Sequence, residues 1–363
     1  MQEIAARTDA DQREAAGGGT PPAIIIARET DAESWDRFVL ASEAGSFYHR
    51  FGWSRILRES LGVEPFYLMA RSDDQVVGVL PLVLLSSRLF GRILCSMPFL
   101  NFGGPCADSG AVARALIDAA IRKSHELEVD YLELRCAARI PTDLASSTHK
   151  VSMSIALDRD PDVLWNGFTS KHRTNVRRAM KNQLVVASGG WELFEEFFAV
   201  LERSWRDLGT PLYGRGFFAS VLAEFPGETR IHVCRYGERP VAVACNGMQG
   251  GVIEGMWAGG MPVARSLNAN YVLYWHMIQE ACRLGFGRFH LGRSTVDSGG
   301  EWFKTRWNAN ALQLYWYYHR PRGGAMPALN VDNPKYRNAI AAWRRLPLWV
   351  VRRVGPHIAR NIP

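Results

Sequence analysis

Between Leu291 and Tyr318 the chain reads LGRSTVDSGGEWFKTRWNANALQLYWYY, which sets two cations, Lys304 and Arg306, among Trp302, Phe303 and Trp307. The segment follows a predicted strand at Arg288–Leu291 and opens through a loop rich in glycine and serine. A cation held among aromatics just beyond a strand end is suited to steadying negative charge that develops during a reaction. Asp297 and Glu301 share that loop and are candidates for a general base. The competing reading is a surface turn, with core aromatics, solvated cations and solvent-facing carboxylates.

A second cluster lies in TSKHRTNVRRAMK, where Lys171, Arg173, Arg177, Arg178 and Lys181 occur with no acid between them. On a helix, Arg173, Arg177 and Lys181 are four apart and share a face, with Arg178 beside them. Like charges at that spacing repel, which an anionic ligand would offset. Ser170 is placed to cap the helix, and a helix N-terminus itself favours phosphate. A plain solvated basic face is the alternative.

Other chemistries lack their residues. The nine histidines form no HxH or HExxH pair, so no metal site is expected. There is no GxSxG elbow. Six scattered cysteines form no CxxC pair, and Cys136, at a predicted strand end, fits a core thiol better than a nucleophile. Gly103–Pro105 and Gly299–Gly300 are too short to specify a phosphate cradle.

The elements that must position these residues recur in one order. The first half predicts helices at Ala32–Ala41 (Asp31 as cap) and within Gly45–Gly62, then a hairpin of Pro65–Arg71 and Gln75–Leu84. A strand at Ile93–Cys95, a helix at Val112–Leu127 and strands at Tyr131–Arg135 and Val151–Leu157 follow. The second half predicts helices at Pro161–Phe168, Lys171–Lys181, Trp191–Leu208 and Gly216–Glu224, and a hairpin of Arg230–Tyr236 and Pro240–Met248. A strand at Val252–Trp257, a helix at Asn270–Leu284 and strands at Arg288–Leu291 and Leu312–Tyr318 complete it. Helix, helix, hairpin, strand, helix, strand occurs twice, which implies duplication of one α/β unit with a boundary near Arg159. A doubly wound nucleotide fold would need a glycine-rich first turn that the chain lacks.

Composition frames this reading. An apolar share of 47% and a charged share of 22% describe a folded protein with apolar surface for two cores. Residues 1–22 are polar and Ala/Gly-rich, and read as a disordered leader without the apolar stretch of a signal peptide. Val76–Leu85 is half the length of a membrane span and contains a proline. These features predict a cytoplasmic protein with reduced cysteines. From Arg320 onward nine Lys or Arg face one acid, Asp332, so the basic balance resides in the tail. Trp343, Trp349 and the neighbouring arginines there fit either a membrane-interface helix or one packed on the domain.

Taken together, the two-fold α/β repeat, the SKxRxxVRRAxK run, the LNANYVLYWHMIQEACRLG helix and the closing GGEWFK resemble the Fem-type peptidoglycan-bridge aminoacyltransferases. They are still more similar to the FemAB-like, BioF2-like acetyltransferase branch associated with exosortase (PEP-CTERM) and exopolysaccharide systems. The resemblance spans about Ile24 to Pro363. It implies a mixed α/β (α+β) fold of two tandem GNAT-like (acyl-CoA N-acyltransferase) domains, each a mixed central sheet flanked by helices. The expected map is leader 1–22, first domain 23–158, second domain 159–320 and basic helical tail 321–363.

The resemblance also implies roles. Phe303 and Lys304 fall on the Phe-Lys pair at the Fem reaction centre, where Lys304 would stabilise the oxyanion as an amine attacks an activated acyl carbonyl. Lys171, Arg173, Arg177 and Arg178 match a phosphate-contacting helix, with Arg306 as a further substrate contact and Trp257 as a substrate-lining aromatic. In Arg265–Asn270 (RSLNAN) the acyl-CoA turn keeps its arginine, but Asn268 and Asn270 replace glycines. A nucleotide-sugar lysine of the Fem enzymes is replaced by Leu57. The implied activity is N-acyl or aminoacyl transfer to an amine on a cell-envelope or exopolysaccharide precursor. Acyl-CoA or aminoacyl-tRNA would enter as co-substrate, with no tightly bound cofactor and with peripheral contact to an anionic membrane through the tail. The rivals are a tRNA-dependent peptidoglycan-bridge enzyme, a non-catalytic membrane-peripheral scaffold and a nucleic-acid-binding module.

Overall fold

The computed structural model describes residues 21–87, 90–324 and 334–362. The predicted leader lies outside these residues apart from Pro21 and Pro22, and 325–333 of the tail lie outside them too.

The first sheet contains β1 (Ala23–Ile26), β2 (Glu64–Ser72), β3 (Gln75–Ser87), β4 (Gly91–Ser96), β5 (Cys106–Ala107), β6 (Tyr131–Cys136) and β7 (Ala145–Ser147). Its helices are α1 (Ala32–Ala41), α2 (Gly52–Ile56, continued by a π turn at Leu57–Leu61) and α3 (Gly110–Glu126). Asp31 does not cap α1 through its side chain. Its carboxylate accepts instead from the Arg28 backbone N–H, closing the preceding 3₁₀ turn.

The second sheet contains β8 (Lys150–Ala156), β9 (Leu184–Gly189), β10 (Thr229–Tyr236), β11 (Arg239–Gln249), β12 (Val252–Gly260), β13 (Arg288–Thr295) and β14 (Asn310–Gln313). Around it lie α4 (Pro161–Gly167), α5 (Ser170–Met180), α6 (Phe194–Leu208), α7 (Arg215–Glu224), α8 (Pro262–Ser266), α9 (Ala269–Arg283) and α10 (Gly299–Thr305). β15 (Tyr315–His319) and two helices, α11 (Pro334–Trp343) and α12 (Leu348–Ala359), end the chain.

Two strands cross the expected 158/159 boundary. β8, assigned by sequence to the first domain, lies between β13 and β14 in the second sheet. The predicted strand Leu312–Tyr318 is two strands that part at Leu314. β14 pairs with β8, whereas β15 inserts between β6 and β7 of the first sheet. Alternation of side chains fixes which face of a strand is buried, but not which sheet it joins.

Each sheet is antiparallel except at one pair, β4 with β6 in the first and β12 with β13 in the second. One hydrophobic core runs between the halves and combines Trp35, Trp53, Tyr67 and Ile93 with Phe197, Phe218, Val243 and Trp257. Separate cores lie under α3 and under α5 and α9. The buried face of α9 therefore packs on the second sheet and its neighbouring helices, and the opposite face of that sheet is shared with the first half.

Candidate functional site

The site forms where β12 and β13 part. Their parallel pairing runs from Val252↔Arg288 to Glu254↔His290 and stops there. Gly255 and Gly292 face each other at the parting point. A Cβ on Gly255 would meet the His290 carbonyl oxygen at 3.0 Å. Gly292 has φ +81°, and a Cβ there would meet the Gly255 oxygen at 2.7 Å. Only glycine lets the two backbones approach this closely and then diverge. β12 also carries an extra residue against β11 at Cys245/Asn246, which bends it away. A cavity of about 250 Å³ opens in the gap, lined among others by Asn101, Asn246, Trp257, Tyr274, Arg293 and Lys304.

Lys304 reaches this cavity from α10. The predicted loop at Gly299–Thr305 is a helical turn, because Ser298 caps it by accepting from the Glu301 N–H. Glu301 in turn accepts from the N–H of Asp297, the residue before the cap, at 2.6 Å, which braces the start of the helix. Asp297, at φ +60°, forms the turn. Neither carboxylate lines the cavity. Lys304 Nζ donates to the backbone oxygens of Gly292 (2.8 Å) and Arg293 (3.1 Å). Burial, and then the Arg293 guanidinium, lower its pKa to about 7.

Arg293 belongs to a stack that joins the two sheets. Its guanidinium lies 5.3 Å from the Trp316 ring centre, and that of Arg135 lies 4.3 Å from the same ring. Arg135 is buried and pairs with Glu133 at 2.6 Å, while Arg293 donates to the Leu100 oxygen at 3.3 Å. Desolvation, followed by the Arg135 charge, lowers Arg293 to about 10. Positive potential thus converges on one side of the cavity.

The aromatic cluster named from sequence is largely structural. Phe303 packs edge-on against Tyr274 (5.1 Å) and Tyr271 (5.6 Å), and Trp307 is fully buried against Phe168 and His172. Arg306 lies over Trp302 at 3.5 Å and donates to the Tyr271 hydroxyl, which leaves it outside the cavity lining. His172 has no partner for either ring nitrogen among the described residues. Burial, then Arg306, lower its pKa to about 4.

The basic helix α5 is capped by Thr169, not Ser170, through the His172 N–H. Arg173 is committed to the Asn166 and Phe168 carbonyls, and Arg177 lies over Trp165 at 5.3 Å. Lys171, Arg178 and Lys181 are exposed. Asn182, just beyond the helix, donates to the Leu267 oxygen and ties α5 to the turn before α9. In that turn Asn268 adopts φ +55°, and Arg265 and Asn270 are exposed nearby. Asparagine thus takes the left-handed conformation that a glycine takes elsewhere.

Two residues overlooked in the sequence stand just before the parting point. Glu254 is 2% exposed and meets His290 Nδ1 at 2.9 Å. An acid inside the otherwise apolar run VIEGMW was the available signal. Cys136 is buried, and burial raises its thiol pKa well above the ordinary range, which keeps it protonated.

Residues 170–305 match the family described as an acetyltransferase (GNAT) domain. The crystal structure of FemX superposes with a TM-score of 0.63 at 13% identity, covering 81% of this chain and 97% of FemX. A C-terminal domain (DUF2156) assigned to a lysylphosphatidylglycerol synthetase of Agrobacterium fabrum gives 0.56 at 12%, covering 86% and 94%. A tandem GNAT protein from the clavulanic acid biosynthesis pathway gives 0.51 at 11%, covering 84% and 100%. No curated protein matches the sequence. At these identities the likeness is one of fold, and the fold is a mixed α/β pair of tandem GNAT-like units. No helix among the described residues is long and apolar enough to cross a membrane.

Proposed function

We propose that the protein is an N-acyltransferase that moves an acyl or aminoacyl group from an activated donor to an amine on a cell-envelope or exopolysaccharide precursor. The observation that carries this reading is the ammonium of Lys304. An ammonium has three N–H donors. Two are held by the Gly292 and Arg293 carbonyls, which leaves one for the cavity where β12 and β13 part. A fixed donor at a water-poor site is suited to the oxyanion that forms when an amine adds to an acyl carbonyl.

The acyl end of the donor would occupy the cavity beside Trp257. Its phosphates would lie toward the turn of Arg265, Asn268 and Asn270 and the exposed Lys171, Arg178 and Lys181, with Arg177 at the edge. Acyl-CoA fits this division better than aminoacyl-tRNA, since no base-reading motif accompanies the cations. The nitrogen–carbon bond forms as the donor's leaving group departs, with no covalent enzyme intermediate. Asp297 and Glu301 hold the start of α10 in this reading. The amine attacks as the neutral base, the bond from the acyl carbon to the donor's sulfur breaks, and the proton lost from nitrogen leaves with the departing thiolate as the free thiol.

The test is turnover by purified full-length protein with an acyl-CoA panel and a pooled amine-bearing glycan fraction. Lys304→Ala is expected to reduce kcat by about 10²–10³-fold, the usual effect of losing one oxyanion donor, while donor affinity changes little. Undiminished turnover in Lys304→Ala would sink the proposal.

The tail supports peripheral membrane contact as well. α12 buries Val351, Gly355 and Ala359 against the body and leaves Trp349 70% exposed, with Arg353 and Val354 also outward. Co-sedimentation with anionic but not neutral vesicles, lost in Trp349→Ala, is the expected result.

A further inference from the structure

The face of the second sheet that α9 covers holds a polar cluster with no part in the Lys304 site. Ser188 on the edge strand β9 and His232 on β10 are register partners, so their side chains stand side by side. His276 and Glu280 are four apart on α9 and share one face of that helix. The two pairs meet. Ser188 Oγ lies 2.9 Å from His232 Nδ1 and 2.9 Å from His276 Nε2, and Glu280 Oε2 lies 3.5 Å from His232 Nδ1. One ligand atom from each of His232, His276 and Glu280 lies within 4.8 Å of the other two.

Two imidazoles and a carboxylate are a donor set suited to tetrahedral zinc. At bond lengths of about 2.0–2.1 Å, neighbouring ligand atoms of such a site stand about 3.3 Å apart. His232 and Glu280 already have that spacing, and a small rotation of the half-buried His276 side chain closes the remaining gap. A cavity of about 10 Å³, room for a single water or ion, adjoins His232 and Glu280. His232 is buried, whereas His276 and Glu280 are partly open to solvent, which gives an ion its way in.

Outer partners that orient the ligands are in place as well. Arg230 donates twice to Glu280 Oε1, at 2.5 and 3.1 Å, which leaves Oε2 toward His232. The Asn246 side-chain amide meets His232 Nε2 at 3.2 Å. With its oxygen toward the ring, that amide accepts from Nε2–H and leaves the Nδ1 lone pair for a metal. Burial lowers the pKa of His232 to about 3 and also lowers that of His276, so both rings are neutral near pH 7.

We infer that His232, His276 and Glu280 form a zinc site that clamps α9 to β10, with Ser188 beside the ion and water in the fourth position. No short histidine spacing records the site in the sequence, because its ligands come from a strand and a helix far apart along the chain. Asn246 also lines the Lys304 cavity, so the clamp braces one wall of it. The site stands or falls independently of acyl transfer.

The experiment is calorimetric titration of the chelator-stripped full chain with Zn²⁺, repeated with Co²⁺ by visible absorption. One ion per chain is expected, with the intense visible bands of four-coordinate cobalt and a melting temperature that rises with zinc concentration. His276→Ala and Glu280→Gln are each expected to weaken zinc binding by at least about tenfold, the lower end of what even an outer partner contributes. Both should also remove the melting shift. Glu280→Gln keeps an oxygen for Arg230 and carries the comparison if His276→Ala fails to fold. His125 faces His319 at 3.1 Å in an exposed pair, a rival place for a surface-bound ion, and His125→Ala is expected to leave the affinity unchanged. No zinc binding, binding that survives both site variants, or binding lost in His125→Ala would overturn the inference.

Discussion

Lys304 offers the sharpest prediction at the scale of a residue, because its protonation state decides its role. Its pKa is lowered to about 7, first by burial and then by Arg293. An oxyanion donor must be charged, so kcat is expected to fall as pH rises through about 7. A lysine acting as a base would give the opposite slope, and a pH–rate profile on Lys304→Met identifies the limb that belongs to this group. Stability has its own sign. The folded pKa lies below the unfolded value, so the native state sheds the proton first and gains stability from this group as pH rises from about 7 towards 10.5. Below about 7 the folded chain bears the full cost of the buried charge. Lys304→Met should therefore raise the melting temperature more at pH 6 than at pH 9, and a shift equal at both would refute the assignment. Lys304 was legible in the sequence because a lysine inside an aromatic cluster stands out along the chain. Glu254 and His290 were not, since an acid in a strand ordinarily faces solvent. Their pairing appears only once β12 and β13 are aligned in register.

Among the elements, the turn into α9 carries the donor argument. Asn268 holds φ +55° directly before a 15-residue helix, and Asn182 pins the turn to the end of α5 through the Leu267 oxygen. A β-branched residue at that φ is strained, so Asn268→Val is expected to cost about 1–2 kcal/mol in chemical denaturation. Asn268→Gly keeps the conformation and removes a side chain from the approach to the helix N-terminus, where the proposed donor's phosphates would lie. Its expected effect is a severalfold gain in acyl-CoA affinity, measured by competition, and a loss of affinity would remove this turn from the donor site. Helix periodicity revealed α5 and α9 within a residue or two, because their apolar stripes are continuous. The duties of single cations on α5 were hidden. Arg173 satisfies carbonyls at the end of α4, a task set by tertiary packing, and Thr169 replaced Ser170 as cap because the helix begins one residue earlier than the pattern suggested.

At the scale of the whole molecule, two exchanged strands tie the halves of the duplicated plan together. The repeat was legible because both halves run through the same order of elements. The strand exchange was not, because a strand's own residues do not record its neighbours. β8 leaves the first half for the second sheet, and β15 returns from beyond the second half to lie between β6 and β7. Trp316 on β15 then contacts the guanidiniums of both Arg135 and Arg293, one from each sheet, beside the Lys304 cavity. Cutting the chain near 158 would deprive the first sheet of β15 and leave the buried Arg135 facing a void. Residues 1–158 alone are therefore expected not to fold, whereas the full chain should unfold in urea as a single transition seen alike by tryptophan fluorescence and circular dichroism. Trp316→Ala truncates a large buried ring, which typically costs about 3–5 kcal/mol. It should move both signals to lower urea together and lower kcat by letting Arg293 shift away from Lys304. Two separate transitions in the wild type, or a variant in which only one half loses stability, would show that the halves are independent domains and that the exchanged strands do not couple them.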